Sequence, residues 1–274
     1  MFLGLHSNAV RAGEKAKVQN DVRIAKGGII EVRGEPFFPL GSYFLPKGPD
    51  PYHQLAEAGF NLVRCEPARE ELDKALAAGL KAWVSGGTDF SHEAEKRKAQ
   101  VEEVVKRVGN HPALWVWESR DEPAWTWKEP AKPIASADGL AQGHQFLKSL
   151  DPHHPVWINH APRNLVKTLV NFSRGADIVS CDIYPIIPCG LKVMYAIQPD
   201  GTHGDLLNQT ASAVGEYTDK MRKVAGPNRS VWMVLQAFAW EGLRDAKEQD
   251  STKILYPTYT ELRFMAYDAV IRGA

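Results

Sequence analysis

Residues Trp115 to Pro123 read Trp-Val-Trp-Glu-Ser-Arg-Asp-Glu-Pro, an apolar aromatic run that ends in two acidic residues and a proline. Glu122 stands beside Asp121, and Glu118 lies four positions earlier. Like charges gathered this closely raise the pKa of at least one carboxyl. A carboxyl that keeps its proton near neutrality suits general acid–base catalysis. Pro123 cannot extend a strand ladder, and it biases Glu122 toward an extended conformation. Glu122 is therefore expected on a fixed strand-end rim. If the strand pattern persists, Glu118, Arg120 and Glu122 share one face and Asp121 takes the other. The alternative is a solvated glutamate in a loop.

Other chemically useful side chains close other apolar runs. Arg64 lies near the end of Phe60 to Glu66, His160 ends Val156 to His160, Asp182 ends Asp177 to Asp182, and Gln236 ends Val231 to Gln236. Tyr184 follows Asp182 on the same strand face and could orient a carboxylate; Pro185 could set a rigid turn. Each has a structural alternative. Arg64 could pair with Glu66 or Glu70. Asp182 could cap the next loop. His160 could contact substrate, shuttle a proton, or be purely structural.

The elements that must position these residues repeat as strand then helix. Candidate barrel strands are 37–43, 60–66, 81–85, 113–117, 156–160, 177–182 and 231–236. Helical patterns cover 91–109, 138–150, 209–224 and 258–272. In the last, Thr258 and Glu261 stand at capping-box spacing, Leu262, Met265, Ala266, Ala269 and Val270 form an apolar face, and Gly273 can stop the helix. Alternating strands and helices imply an α/β fold with a parallel sheet, and seven such strands favour a TIM-type barrel. Residues 22–38 read as a hairpin, with turns at Lys26-Gly27-Gly28 and Arg33-Gly34-Glu35, that could cap the barrel floor. We expect an N-terminal segment, 1–21, and a barrel domain, 22–274. The chain stops at Gly273-Ala274, where an eighth strand is expected. The seam so exposed invites pairing, either with the N-terminal segment or with a second copy as a homodimer.

The chain has 274 residues, 44% of them hydrophobic, enough for one sizeable core. Lys+Arg and Asp+Glu are both 33, so no basic excess points to nucleic acid or a membrane surface. No signal peptide is visible, which leaves localisation open. Cys65, Cys181 and Cys189 are too few for a disulfide framework and lack zinc spacing, so buried thiols are expected. No Gly-x-Ser-x-Gly elbow, Gly-x-Gly-x-x-Gly loop or His-Glu-x-x-His is present. His153-His154 reads as loop surface. No cofactor or metal is expected.

Several segments together resemble a known family. Gly34 to Gly41 is similar to the first strand of many (β/α)8 glycoside hydrolases, and Gly59 to Arg64 to their second strand, which ends in arginine. Asp121-Glu122-Pro123 resembles the Asn-Glu-Pro after strand four of the retaining clan GH-A. Residues 30–274 resemble a bacterial branch that carries Asp-Glu-Pro, with further marks at Asp182 to Pro185 and Val234 to Phe238. The resemblance implies hydrolysis of a β-linked glycoside, with Glu122 as general acid/base and Arg64 bracing the nucleophile.

The chain departs from the family at the nucleophile. Clan members place a glutamate at the end of strand seven, where this sequence has Gln236. A neutral amide does not form a glycosyl ester at useful rates. Three alternatives follow. Another carboxylate could act, Asp182 first, then Glu241 and Glu66. With Asp182, an inverting mechanism needs about 6.5–9.5 Å between the carboxyls. Gln236 could instead bind a sugar hydroxyl. Or the chain could be a carbohydrate-binding barrel without catalysis. Asp121, His160 and Tyr184 join it as expected substrate contacts. Trp115, Trp117, Trp125, Trp127 and Trp240 lie at or after strand ends, and Trp240 and Trp125 are the favoured sugar platforms. Trp83, Trp157 and Trp232 sit mid-strand and are expected in the core.

Overall fold

The computed structural model describes residues 22–125, 133–162, 164–188, 208 and 210–274. The N-terminal segment expected over the seam, Trp127 and Cys189 lie outside the described residues.

The chain opens with a three-stranded antiparallel sheet, β1 (Val22–Ile24), β2 (Ile30–Val32) and β3 (Glu35–Pro36). Its turns use the expected residues. Gly27 and Gly28 have φ of 88° and 86°, and Arg33 and Gly34 have φ of 55° and 83°. Two successive left-handed residues match the twist of the flanking strands, as in tight hairpin turns.

A seven-stranded parallel sheet follows in the order β10-β9-β8-β7-β6-β5-β4. Its strands are β4 (Gly41–Ser42), β5 (Leu62–Arg64), β6 (Lys81–Ser85), β7 (Leu114–Glu118), β8 (Val156–His160), β9 (Ile178–Ile183) and β10 (Ser230–Leu235). Each expected strand is present, but the first shrinks from 37–43 to two residues. Pro39 falls inside the expected run and cannot donate to a ladder. Helices α1 (Pro51–Glu57), α2 (Arg69–Ala77), α3 (Ala94–Val108), α4 (Ala137–Leu150), α5 (Val166–Phe172), α6 (Ala213–Ala225) and α7 (Tyr259–Ile271) alternate with them. Thr258 and Glu261 form the capping box of α7, and Gly273 ends it at φ 98°. Among the described residues, no helix is long and apolar enough to cross a membrane.

The sheet is curled into a half-barrel. Tyr43, just after β4, has its ring centroid 5.6 Å from that of Trp157 on β8. On a flat sheet four strand spacings would put those backbones roughly 19 Å apart. Trp83, Trp157 and Trp232 fill the concave side, with successive centroids 5.3 Å apart. Val22 and Ile30 of the antiparallel sheet join the same cluster. The small sheet therefore closes the floor of the half-barrel, as expected. On the convex side, strand residues of opposite parity pack under the helices, Val63, Val84 and Trp117 toward α1–α3, and Ile158, Cys181 and Ile183 toward α4–α6. Cys65 and Cys181 are buried free thiols.

Candidate active site

The concave side becomes polar at the C-terminal ends of the strands. Glu118 is the last residue of β7 and only 6% exposed. Its Oε2 accepts a hydrogen bond from Arg64 Nε of β5 at 3.4 Å. Arg64 also donates to exposed Glu66 at 3.1 Å. The pairing with Glu66 is the structural alternative raised for this arginine, and the bond to Glu118 exists beside it. Burial raises the Glu118 carboxyl, Arg64 opposes it and Asp121 adds to it, and together they leave it raised to about 7. The Tyr43 hydroxyl lies beside Glu118; burial and the nearby carboxylates Glu118, Asp121 and Asp182 raise its pKa.

Strand β7 stops at Glu118, so the alternation expected through Glu122 does not continue. The chain instead turns. Ser119 N–H donates to Trp157 O and Glu122 N–H to Asn159 O, and Trp125 N–H closes back on Glu122 O. Glu122 is held at φ 43°, in the left-handed region, rather than extended. Pro123 favours extended backbone for its predecessor, and the backbone bonds of the turn override that preference. A non-glycine residue held there stores on the order of 1–3 kcal/mol of strain, a cost that persists where surrounding structure fixes it. The expected fixed rim is present, built by a turn rather than by a strand.

This turn brings the Glu122 carboxyl beside that of Asp182 of β9. Burial first, then the charges of Asp182 and Asp121, raise the Glu122 pKa well above the ordinary range. Burial also raises Asp182, while its bond to Glu122 works the other way. Burial and the neighbouring carboxylates therefore favour the protonated form of Glu122. Asp182 is 6% exposed, and its Oδ1 has no hydrogen-bond partner among the described residues. Asp121 is exposed and accepts from Asn159 Nδ2 at 3.1 Å. A buried relay sets that amide: Trp157 Nε1 donates to Ser180 Oγ at 2.7 Å, and Ser180 donates to Asn159 Oδ1 at 3.0 Å.

These raised pKa values have a consequence for stability. Between the ordinary glutamate value of 4.5 and about 7, the native Glu118 holds more proton than the unfolded chain does, and Glu122 adds to the same imbalance. Stability contributed by these groups therefore falls as pH rises through that window. Urea midpoints at pH 5 and pH 8 should differ less in Glu122→Gln than in the unaltered chain. An equal difference in both would show that Glu122 does not titrate abnormally.

Several expected contacts lie elsewhere. His160 is fully buried on the convex side and hydrogen-bonds Ser173 Oγ at 2.9 Å. Burial drives its pKa down to about 3, so it is neutral and cannot serve as a proton shuttle at neutral pH. Trp125 is 4% exposed and packs in the core under the helices, so it offers no open platform. Trp115 and Trp117 are also buried, Trp115 over the floor and Trp117 with its Nε1 on Asp151 at 2.8 Å. Glu241 is fully buried and accepts from Asp250 N–H at 2.7 Å. His154, expected on the surface, is buried against Asp151, 2.6 Å away. Strand alternation explains His160 and Trp117, which stand next to the concave-facing Asn159 and Glu118 and so face the helices.

Gln236 is 0% exposed. Its Oε1 accepts from Ile186 N–H at 2.8 Å, and its Nε2 donates to Ile186 O and Phe238 O at 3.0 Å each. The amide clamps the loop after β9 to the end of β10 and leaves no surface for a sugar hydroxyl. Gln236→Glu should strip both carbonyls of their donor and bury a carboxylate, costing about 1–3 kcal/mol or more. Urea denaturation checks this. Unchanged stability together with gained hydrolysis would instead make the position a nucleophile site.

Past the same strand ends stand three aromatic side chains. Tyr184, Phe238 and Trp240 have centroids 4.8 to 5.9 Å apart, all with tilted or edge-on rings, and Trp240 Nε1 donates to Tyr184 O at 3.2 Å. Tyr184 also stabilises the ionised Asp182 through its side chain. Tyr43, Glu118, Asn159 and Phe238 complete the site and were not among the expected site residues. Strand parity carried a signal for Glu118 and Asn159. None marked Tyr43, which arrives through the curl.

No protein-family model matches the chain, and no curated protein matches it in sequence. Solved structures do match its fold. A β-D-glucuronidase from Dictyoglomus thermophilum aligns with a TM-score of 0.57 at 17% identity, covering 92% of this chain and 44% of that one. A GH2 β-galacturonidase from Eisenbergiella tayi aligns with a TM-score of 0.53 at 17% identity, over 92% of this chain and 44% of that one. A glycoside hydrolase family 5 mannosidase from Rhizomucor miehei aligns with a TM-score of 0.55 at 13% identity, over 92% and 81%. The chain thus spans less than half of the first two. At these identities the likeness is one of fold: a curled parallel sheet with helices, shared with glycoside hydrolases.

Proposed function

We propose that the chain hydrolyses a β-linked glycoside or oligosaccharide, with Glu122 as the general acid. The observation that carries this is the side-by-side placement of half-buried Glu122, in the turn after β7, and buried Asp182 near the end of β9. (β/α) barrels keep their chemistry at that end of the strands. Glycosidic cleavage needs a carboxyl that arrives protonated and can hand its proton to the leaving oxygen. The Asp-Glu-Pro resemblance to clan GH-A and the TIM-type barrel architecture it implies support the same conclusion, as does the fold shared with glycoside hydrolases.

In this mechanism Asp182 is not the distant partner first considered for it. Retaining pairs stand about 5–5.5 Å apart and inverting pairs about 6.5–9.5 Å. Asp182 lies beside Glu122 and its charge favours the proton there, so in this reading it serves the acid rather than standing across the scissile bond. The exposed edges of Tyr184, Phe238 and Trp240 form a shelf on which a sugar's apolar face can rest, and Asp121 supplies an acceptor for a hydroxyl.

A second function, carbohydrate binding without cleavage, is favoured by one observation: the neutral, internally bonded Gln236 at the end of β10. Hydrolysis of a panel of aryl β-glycosides and β-linked oligosaccharides, run beside calorimetric titration with the same oligosaccharides, separates the two. Turnover supports the hydrolase. Binding without turnover supports the second function, and neither binding nor turnover defeats both.

A further inference from the structure

Asp121 and Glu122 sit in a turn beyond the end of β7, so their aim depends on what that turn is tied to. We propose that Asn159 is a positioning residue for the acid, held in one orientation by Ser180 so that β8 fixes the turn carrying Asp121 and Glu122. This rests on the glycoside-hydrolase function above and goes further by naming the residues that aim its proton donor.

Three observations carry it. First, Asn159 holds the turn twice. Its backbone carbonyl accepts from Glu122 N–H at 2.9 Å, and its Nδ2 donates to Asp121 Oδ1 at 3.1 Å. One buried strand residue thus fixes two adjacent residues of the turn. Second, the side-chain hydrogen bonds behind Asn159 run in one direction. An indole N–H can only donate, and a carboxylate can only accept. Trp157 Nε1 stands at one end, 2.7 Å from Ser180 Oγ, and Asp121 stands at the other. Ser180 therefore accepts from the indole and passes its single proton onward. Asn159 Oδ1 receives it at 3.0 Å, and the Ile158 carbonyl, at 3.3 Å, is the farther acceptor. With Oδ1 engaged in this way, the amide turns its N–H groups toward Asp121. The reverse orientation sets the amide oxygen against the carboxylate. Third, the chain is buried and packed. Ser180 is fully buried, and the Trp157 ring is wedged between Trp83 and Trp232, with centroids 5.3 Å away on each side. A buried hydrogen-bond chain whose members are all satisfied rigidifies what it holds.

The hold on the turn serves the acid in two ways. Glu122 is kept at φ 43°, and a strained residue of this kind holds its conformation only where the surrounding structure fixes it. The bond from Glu122 N–H to the Asn159 carbonyl is part of that fixing. Asp121 is one of the charges that favour the proton on Glu122, so tying Asp121 to β8 also fixes the charge beside the acid. Proton transfer to a leaving oxygen needs the donor within hydrogen-bond reach of it, which makes a well-aimed acid worth more than a loosely held one.

The test uses the intact chain and two β-glycosides that it hydrolyses, one with a poorly acidic leaving alcohol and one with a strongly acidic phenol. Ser180→Ala alters a fully buried residue behind the site. It removes the proton that Asn159 Oδ1 receives and frees the amide to turn over. On the first substrate kcat should fall by about 10- to 100-fold, up to the loss expected when a reacting group is misplaced by about 1 Å. KM should stay within a few-fold, and kcat on the phenol-releasing substrate, which needs little protonation, should change far less. Asn159→Ala removes the bond to Asp121 itself, so it should give the same pattern with a loss at least as large, and it decides the matter if Ser180→Ala misfolds. A role in stability alone would lower the urea midpoint and depress both substrates alike. Near-normal kcat on the first substrate, or equal losses on the two, overturns this inference and leaves the hydrolase function standing. Absence of turnover by the unaltered chain overturns both.

Discussion

Glu122→Gln is expected to lower kcat by about 10²–10⁴-fold on a glycoside whose leaving alcohol is a poor acid, because it removes the donated proton. The same substitution should cost far less on an aryl glycoside with a strongly acidic phenol, which can depart without protonation. This contrast is more informative than a single loss. A residue that merely shapes the cleft would depress both substrates alike. The backbone that sets the turn, Glu122 N–H on Asn159 O and Trp125 N–H on Glu122 O, does not involve the side chain and should survive the change. The amide can still donate to Asp182, so the pair's geometry is retained while its transferable proton is not. Because burial and two carboxylates hold the Glu122 pKa high, the alkaline limb of the unaltered chain's rate profile should lie above the ordinary carboxylate range. Steady-state kinetics on paired substrates decides the matter. Equal losses on both would remove Glu122 from the acid's role.

The second large effect concerns stability. Trp157→Ala should destabilise the fold by about 3–5 kcal/mol, the usual range for deleting a large buried aromatic. Trp157 is 2% exposed and stands at the centre of the concave column, with ring centroids 5.3 to 5.6 Å from Trp83, Trp232 and Tyr43. These neighbours come from β6, from β10 and from the segment after β4, so its removal opens a cavity where the curl brings distant strands together. The same ring donates to Ser180, whose hydroxyl orients Asn159 and through it Asp121. Trp157→Phe keeps most of the volume and loses only that bond, worth about 1 kcal/mol. The urea midpoint should therefore fall steeply for alanine and slightly for phenylalanine. Similar midpoints for both would mean that the column does not hold the curl.

Much of the architecture was legible in the chain. The strand-helix period, the hairpin turns and the capping box of α7 each rest on local chemistry: alternation, glycine at positive φ, a threonine three residues before a glutamate. Local signals of that kind survive into the tertiary structure because neighbouring residues satisfy them. Prediction failed where a side chain's environment comes from another strand. His160 and Trp125 read as cleft residues because they end or follow strands, yet the face that each presents is set by the parity of its own segment and by what packs on it. Gln236 stands in the sequence at the family's nucleophile position and was expected to bind a sugar hydroxyl if it met substrate. Its amide instead satisfies the backbone of Ile186, fifty residues away in sequence.

The sequence by itself determined that carboxylates lie at or near the ends of β7 and β9, that Arg64 lies at the end of β5, and that β10 is followed by an amide where a carboxylate was expected. Composition and periodicity are properties of the chain, so no neighbour was needed to read them. Only the tertiary structure decided which carboxyl meets which. The turn after β7 carries Glu122 across to Asp182 and leaves Glu118 with Arg64 and Tyr43. A carboxyl's protonation depends on the charges and the dielectric within a few ångströms of it, and those are assembled by the curl of the sheet.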